Sequence, residues 1–340
     1  MPAPSKDPGV PVRGRRDARA RGTHRRAPAT GAGDRVLSRS DARGLLLVDK
    51  PEGRTSHDVV AGARRALGQR RIGHTGTLDP FATGLLLLLL GRWTRLAEYF
   101  HALGKSYEAT LRLGIETDTD DPTGREIRRS TAWRDLSNDA IEEAFEAWLG
   151  ERRQVPSAFS AKRVDGERAY RAARRGEDLA LAAAPITVHA IEVLAVDLPH
   201  VDFRTTVSTG TYVRALARDV GRGLGCGAHL ARLRRTAIGP FPVDAAADPE
   251  ALATLAADDP AWRHGEDAVR WMSRRKVDAG EREALRHGRT IPRGRIEPPD
   301  PSCGHHPAEP GPVALLAGGD LLAVGREDGD LVRPTKVFDA

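Results

Sequence analysis

The stretch Ile72-Gly-His-Thr-Gly-Thr-Leu-Asp-Pro-Phe-Ala-Thr-Gly84 runs directly into six leucines, Leu85 to Leu90, and ends at Gly91. The leucine run is too short to cross a bilayer, which takes roughly 20 apolar residues. Its length and its flanking glycines favour a strand that is buried on both faces. We therefore expect the polar, glycine-rich loop before it to be anchored in the middle of a hydrophobic core.

Asp79 is the only carboxylate of this loop, and Pro80 follows it. Proline restricts the residue before it to extended geometry, so the backbone that carries Asp79 is constrained. Gly73, Gly76 and Gly84 allow unusual backbone dihedrals and the close approach of a ligand. An Asp-Pro pair is also common in simple turns, and that alternative is open on the loop alone.

The net charge of +6 is unevenly distributed along the 340 residues. Residues 1–40 contain ten Lys/Arg and three Asp, which leaves 43 bases and 44 acids for the rest of the chain. A segment this rich in Pro, Gly, Ala and Arg is expected to be disordered. It is either an electrostatic arm for RNA or only a solvated extension. Any RNA affinity of the folded part must come from local clusters of basic residues.

The order Gly-His-Thr-Gly-Thr-Leu-Asp-Pro-x-Ala-Thr-Gly resembles the catalytic loop of the TruB family of tRNA pseudouridine synthases, with Phe81 where leucine is usual. The resemblance implies that the chain converts uridine to pseudouridine at position 55 in the tRNA T-loop, with Asp79 as the catalytic residue. It also implies base flipping and no cofactor or metal. His74 is implied to contact the RNA beside the extruded base.

Three further strings carry the same resemblance. Asp49-Lys-Pro-Glu-Gly-Arg-Thr-Ser56 matches the first family motif, in which Lys50 lies near the active site and supports the loop. A Lys-x-Tyr motif contributes Tyr107, which is implied to stack on the target base. Thr117-Asp-Thr-Asp-Asp-Pro-Thr-Gly124 places Asp121 near the active site. Read alone, this acidic turn faintly resembles a calcium loop, but it lacks the spacing of an EF-hand.

The string Ser208-Thr-Gly-Thr-Tyr-Val-Arg214 also matches a family motif. It implies that Arg214 pairs with Asp79 and that Tyr212 lies against the target nucleotide. A bidentate guanidinium keeps a carboxylate ionised and oriented, which suits a nucleophile. We expect Thr211 to cap the helix that follows. A cation in the first turn opposes the helix dipole, which indicates that Arg214 serves another purpose.

Two arginine-rich segments are candidates for phosphate contact. Residues 225–241 resemble the family string that closes the catalytic domain, in which Leu233 packs beside the active site, and Arg232, Arg234 and Arg235 are candidate phosphate contacts. Residues 154–166 resemble another motif, with Ser157 where proline is usual. A helix is expected over residues 167–176. It would carry a basic cluster for RNA: Arg168, Arg171, Arg174 and Arg175.

The predicted fold class is α+β: a pseudouridine synthase fold, with a mixed, largely antiparallel sheet flanked by helices, and a small C-terminal PUA-like β-barrel. The predicted domains are a basic tail (1–41), the catalytic domain (42–245), a linker (246–265) and a PUA-like RNA-binding domain (266–340). A flexible insertion is expected at 295–312. Its Cys303, His305 and His306 form a Cys-x-His-His tract, for which an insertion is favoured over a metal site.

The predicted partner is the T-arm of tRNA, with no obligatory protein partner, no membrane association and a monomeric state. Two cysteines and an N-terminus without a signal-peptide pattern favour the cytoplasm. Three alternatives are open: a guide-RNA-dependent relative that needs accessory proteins, an RNA folding helper, and an unrelated phosphate-binding enzyme. The last is disfavoured because Gly73-His-Thr-Gly76 lacks the Gly-Lys-Ser/Thr of a P-loop.

Overall fold

The leucine run forms a strand, β3 (Thr83–Leu90), in which every residue from Gly84 onward is buried. The coordinates are a computed structural model that describes residues 43–159, 163–164, 167–168, 181–303 and 311–338. The predicted basic tail lies outside the described residues, as do Arg171, Arg174, Arg175, His305 and His306. Whether the tail is disordered and whether these side chains contact RNA therefore stay predictions.

The described residues contain nineteen strands. They are β1 (Gly44–Lys50), β2 (Ile72–His74), β3, β4 (Lys105–Leu113), β5 (Ile115–Thr117), β6 (Glu126–Arg129), β7 (Gly150–Gln154), β8 (Arg163–Val164), β9 (Glu167–Arg168), β10 (Ala184–Asp197), β11 (His200–Val207), β12 (Ala228–Ile238), β13 (Phe241–Pro242), β14 (Trp262–Arg263), β15 (Ser273–Lys276), β16 (Ile291–Pro292), β17 (Val313–Ala317), β18 (Asp320–Asp328) and β19 (Leu331–Val337).

Five α-helices lie in the same part of the chain. They are α1 (Ser56–Leu67), α2 (Ala97–His101), α3 (Asn138–Glu146), α4 (Val213–Gly223) and α5 (Ala279–Arg286). Short 3-10 helices are found at Gly91–Leu96, Ala132–Asp135, Val243–Ala245 and Pro301–Cys303. The segment that follows the leucine strand is therefore a 3-10 helix that continues into α2.

The central sheet joins the two halves of the catalytic region. Its strand order among the described residues is β14-β1-β3-β12-β4-β11-β10-β7, with β2 beside β3 and β13 beside β12. The β3–β12 pair is parallel, and the other pairs in the sheet are antiparallel. This is the mixed, largely antiparallel sheet that the sequence predicts.

Strand β3 is buried on both faces because different elements cover each side. Leu86, Leu88 and Leu90 pack with Val59 and Ala63 of α1. Helix α1 begins after Thr55, because the Thr55 side chain accepts from the Asp58 amide and the Asp58 side chain accepts from the Thr55 amide, which is a capping box. The helix ends at Gly68 in the left-handed conformation.

The other face of β3 packs against the C-terminal part of the chain. Leu85, Leu87 and Leu89 share one apolar cluster with Trp271 and Phe338. Beyond this contact, the C-terminal strands form a five-stranded sheet of order β15-β17-β18-β19-β16 in the described residues. The C-terminal region therefore rests on the strand that follows the Asp79 loop rather than on a separate surface.

The segment predicted as a linker, 246–265, packs on the catalytic sheet. The Ala247 amide donates to the Leu47 carbonyl, and the Leu47 amide donates to the Ala261 carbonyl. Leu252 and Ala261 are buried beside α1. The domain boundaries themselves stay predictions.

The helix predicted from residue 167 is wrong at its first two positions. Glu167 and Arg168 form β9, which pairs antiparallel with β8. The arginine spacing was interpreted as one helical face, but that pattern does not report the strand pairing that these two positions adopt. No helix among the described residues is long and apolar enough to span a membrane.

The polar loop enters β3 at Gly84, and a substitution at this position tests how closely β3 and β12 approach each other. Its φ is +102°, and a Cβ there would lie 2.3 Å from the Arg235 carbonyl oxygen. We expect Gly84→Ala to lower the free energy of unfolding by roughly 3 kcal/mol, because backbone cannot move aside. Chemical denaturation measures this change.

The matched control is Gly62→Ala in α1, where a Cβ meets nothing within 4 Å. This variant should be neutral or more stable by up to about 1 kcal/mol, since alanine favours helix. Equal stability of the two variants would contradict the close approach of β3 and β12.

Candidate active site

The backbone on both sides of Asp79 is fixed by side chains from the β1–α1 segment. The Ser56 hydroxyl accepts from the Leu78 amide at 2.9 Å and donates to the Leu78 carbonyl at 3.2 Å. The Lys50 ammonium donates to the Pro80 carbonyl at 3.2 Å. Asp79 is therefore held between two anchored neighbours while its own side chain is 37% exposed.

Lys50 is fully buried beneath the loop. Its ammonium also donates to the carbonyls of Pro51 at 2.8 Å and Arg54 at 2.7 Å, so all three hydrogens have acceptors. Burial lowers the Lys50 pKa to about 8, although the nearby Asp79 charge acts in the opposite direction. These contacts favour the supporting role and leave Lys50 no surface for RNA.

Arg214 grips Asp79 from the first turn of α4. Its Nε donates to Asp79 Oδ2 at 2.9 Å, and its Nη2 lies 3.5 Å from Oδ1. The guanidinium is 4% exposed and also donates to the carbonyls of Thr119 at 2.7 Å and Phe159 at 2.8 Å. The expected ion pair is present, and two backbone carbonyls fix the guanidinium that makes it.

Asp121 is a second acidic neighbour of Arg214, with Oδ2 3.7 Å from Nη1. Its other carboxylate oxygen accepts from the Thr119 hydroxyl at 2.7 Å and from the Thr123 amide at 2.9 Å. The side chain is buried, so it anchors the acidic turn against Arg214.

Among the described residues, no group of three His, Cys, Asp or Glu side chains is arranged to hold a metal ion.

A cavity of about 320 Å³ opens above Asp79. This volume lies at the lower end of the roughly 300–1,000 Å³ of small-molecule sites. The lining consists of Gly76, Thr77, Leu78, Asp79, His101, Lys105, Tyr107, Thr209, Gly210, Thr211, Tyr212, Val213, Arg214, Leu233 and Arg235. Five of the predicted site residues therefore meet Asp79 in one place: Tyr107, Tyr212, Arg214, Leu233 and Arg235.

A larger groove of about 460 Å³ shares Leu233 with this cavity. It includes Phe81 but not Asp79, and three carboxylates line it: Glu52, Glu108 and Asp202. We place the chemistry in the smaller cavity, because only that one contains the ion pair and both tyrosines.

Tyr212 is held by its backbone. Gln154 Oε1 accepts from the Tyr212 amide at 2.9 Å, and Gln154 Nε2 donates to the Tyr212 carbonyl at 3.1 Å. Tyr212 is the N-cap residue of α4, and no side chain caps the helix there, so the predicted Thr211 cap is wrong. The buried Gln154 side chain from β7, 58 residues away in sequence, instead pairs with the backbone amide and carbonyl of the N-cap residue.

Arg235, predicted as a phosphate contact, is instead buried under the loop. Its Nε donates to the Leu85 carbonyl at 2.7 Å and its Nη2 to the Gly76 carbonyl at 3.1 Å. Burial lowers the Arg235 pKa, and a hydrogen bond with Tyr107 partly opposes this effect. Strand alternation gives the reason, since Arg235 lies two residues from Leu233 and shares its inward face.

Arg234 faces the other way and pairs with Asp49 at 3.0 and 2.7 Å. Its side chain is 40% exposed, so it remains open to a ligand. Arg232 is exposed on the same strand face. A phosphate contact by either of these two residues stays a prediction.

His74 lies beneath the loop and does not line the cavity. Its Nδ1 accepts from the Gly76 amide at 3.3 Å, and its ring meets His57 edge-on at 5.4 Å. Burial, with the neighbouring His57 and other cationic groups, lowers the His74 pKa to about 4. The imidazole is therefore neutral at neutral pH. It supports the loop from below, whereas the sequence led us to expect His74 beside the extruded base.

Three functional neighbours had no predicted role: Ser56, Lys105 and Gln154. Ser56 and Gln154 lie inside strings that the resemblance covers, and only their tertiary contacts distinguish them from ordinary polar residues. Lys105 carries a stronger signal, because it precedes Tyr107 by two residues on β4 and so shares its face.

The sequence of this chain matches known protein families and named relatives. Residues 64–213 match the model of the TruB family pseudouridylate synthase N-terminal domain, and residues 214–268 match the tRNA pseudouridylate synthase B C-terminal domain. Proteins named tRNA pseudouridine synthase B from Arthrobacter sp. (strain FB24) and Thermobifida fusca (strain YX) are 42% and 43% identical. Each alignment covers 87% of this chain and 96% or 99% of the relative.

This chain is also similar in structure to chains whose structures have been solved. The chain resembles one in a Cbf5-Nop10-Gar1 complex, with a TM-score of 0.68 and 26% identity over 88% of this chain and 86% of the other. It also resembles a chain of an H/ACA RNP bound to a substrate RNA containing 2'-deoxyuridine, with a TM-score of 0.66 and 25% identity. This second alignment covers 89% of this chain and 86% of the other. Motif, site and relatives together show that this chain belongs to the TruB family of pseudouridylate synthases.

Proposed function

We propose that this chain isomerises uridine to pseudouridine at position 55 in the T-loop of tRNA. The observation that carries the proposal is the Arg214–Asp79 pair at the base of a cavity walled by Tyr107 and Tyr212. The names of the relatives at 42–43% identity support tRNA as the substrate. Cytoplasmic localisation follows from a tRNA substrate and is part of the same proposal.

The target nucleotide leaves its stack and enters the cavity, since the chemistry needs access to both sugar and base. Tyr107 stacks on the uracil, a contact worth about 1–3 kcal/mol per base. Leu233 and Tyr212 close the remaining walls. Together they hold the base close to the exposed carboxylate of Asp79.

Asp79 either attacks the ribose or base covalently, or removes a ribose proton to give a glycal. In both routes the N1–C1′ bond breaks, the uracil turns, and C5 bonds to C1′. C5 loses its proton and N1 gains one, so the reaction is a net isomerisation. No external oxidant, reductant or cofactor enters this balance.

The guanidinium of Arg214 holds the Asp79 carboxylate in place and aims it into the cavity. Asp121 and two carbonyls hold Arg214 in turn. Lys50, His74, Gln154 and Arg235 act as positioning residues, because their contacts are with the backbone of the loop or of Tyr212.

A guide-RNA-dependent activity is the second candidate, since one solved relative is in a complex with Nop10 and Gar1. We favour independent action, because the relatives that cover most of this chain are named as tRNA synthases. The purified chain should modify an unmodified T-arm transcript without added protein or guide RNA. A strict requirement for either would overturn independent action.

Asp79→Asn tests the central residue. The amide preserves shape but is a poor nucleophile and base, so turnover should fall by at least about a thousandfold. Tritium release from a T-arm RNA that contains [5-³H]uridine measures the reaction, since C5 loses its hydrogen. Binding of the T-arm should stay near wild type. Appreciable turnover by the purified Asn variant would remove Asp79 from its role.

Arg214→Lys tests the bidentate grip. Lysine keeps the charge but loses the planar fork, so kcat should fall about a hundredfold with a smaller change in KM. Arg129→Lys on the exposed β6 is the matched control and should behave as wild type. Full activity of the Arg214→Lys variant would show that the fork geometry is dispensable.

The neutral state of His74 is also testable. The folded pKa of about 4 lies below the ordinary histidine value of 6.5, so the unfolded chain binds more protons between these values. This histidine therefore makes stability decline as pH falls from 6.5 toward 4. NMR titration of the His74 ring should show no midpoint above about pH 5. A midpoint near 6.5 would contradict its burial beneath the loop.

A further inference from the structure

The cavity above Asp79 has an excess of positive charge. Among its lining residues, Asp79 is the one carboxylate, and Lys105, Arg214 and Arg235 are cations. Arg214 is balanced by Asp79 and Asp121. Within the described part of the chain, no carboxylate lies within ion-pair distance of the other two cations. A desolvated cation without a carboxylate to balance its charge is costly, which points to an anionic ligand.

Arg235 is not the group that receives this ligand. Its guanidinium is 1% exposed and donates to two loop carbonyls, as described above. Its charge nevertheless contributes to the potential of the cavity. Lys105 is the remaining cation, and it is only half-buried.

Lys105 is aimed at the cavity by the strand that carries Tyr107. The two residues are two positions apart on β4, so they share a face. The Lys105 ammonium donates to the carbonyls of His101 at 3.1 Å and Leu103 at 2.6 Å. These two acceptors fix its position and leave one of its three hydrogens for a ligand.

The loop approaches Lys105 closely. A Cβ on Gly76 would lie 3.8 Å from Lys105 Cε and 3.7 Å from Arg235 Nη1. The ammonium therefore lies beside the catalytic loop, on the wall that Tyr107 shares. Burial and the Arg235 charge lower the Lys105 pKa to about 8, which leaves it mostly protonated at neutral pH.

We propose that Lys105 binds a backbone phosphate of the flipped nucleotide and so holds the sugar over Asp79. This inference rests on the proposed function. Uracil is neutral at neutral pH, so the phosphates on either side of the target are the anions that an RNA substrate brings to this cavity. A charge-assisted contact of this kind anchors the backbone after the base has left its stack.

The test combines Lys105 variants with modified substrates. T-arm RNAs carry a neutral methylphosphonate on the 5′ side of the target uridine, on its 3′ side, or in the distal stem as a control. Each is assayed with wild type, Lys105→Met and Lys105→Arg. The readouts are KM, kcat, and the dependence of binding on salt concentration.

We expect Lys105→Met to raise KM by about tenfold or more, because hydrogen bonds to charged groups are the stronger ones. kcat should change much less, and the salt slope should fall by about 0.7 for one lost phosphate contact. One of the two flanking methylphosphonates should weaken binding to wild type but not further weaken binding to Lys105→Met. Lys105→Arg should restore most of the affinity, and the stem control should be neutral.

Equal losses for both enzymes with either flanking methylphosphonate would overturn the proposal. So would wild-type binding that is indifferent to both modifications, an outcome that does not depend on whether Lys105→Met folds. If wild type forms no pseudouridine in the unmodified T-arm, the proposed function itself fails. Normal conversion with no methylphosphonate effect removes only the role of Lys105.

Discussion

The contact between Arg214 and Asp79 joins residues that are 135 positions apart, and the active site depends on it. The loop that precedes β3 supplies the carboxylate, and the first turn of α4 supplies the guanidinium. A buried guanidinium is costly to desolvate, and two backbone carbonyls and Asp121 compensate for that cost. The carboxylate keeps its outer side toward the cavity, where a substrate can reach it.

Buried cations organise the loop in a second way. Lys50 and Arg235 each donate to carbonyl groups of the loop or of β3, and His74 accepts from a loop amide. Because these partners satisfy backbone groups, the loop can be irregular in a buried setting. The result is a carboxylate fixed from below, which is the preorganisation that a catalytic group needs.

The sequence predicted the parts of this fold that depend on local signals. The leucine run predicted a doubly buried strand. The alternating burial along β4 and the capping residues Thr55 and Gly68 of α1 are local signals of the same kind. The motif strings predicted that Asp79 and Arg214 meet. Each of these rests on periodicity, on capping chemistry or on a long ordered string of residues.

The errors arise where a distant contact decides the outcome. Arg235 belongs to an arginine-rich string that suggests phosphate binding, but its position on β12 turns it inward beside Leu233. Thr211 has the right chemistry for a cap, yet the helix has no side-chain cap, and Gln154 from β7 holds the backbone of the N-cap residue Tyr212. The start of the predicted helix, at Glu167, is a strand that pairs with β8. In each case the residue type was interpreted correctly, but the sequence does not show which distant residues it contacts in the fold.

The placement of charge also explains how a core that is nearly neutral can act on RNA. The basic excess belongs to residues 1–40, whereas the cavity collects cations around a single carboxylate. We infer that this local clustering, rather than a general basic surface, attracts the RNA. The C-terminal sheet shares an apolar cluster with β3, so both parts are built on the strand that follows the Asp79 loop.

The most direct test of this account is to map pseudouridine in tRNA from cells that lack the protein, with wild type or the Asp79→Asn variant restored. The account predicts that pseudouridine at position 55 is absent without the protein, returns with wild type, and stays absent with the variant. Persistence of the modification in the deletion, or its return with Asp79→Asn, would contradict the account.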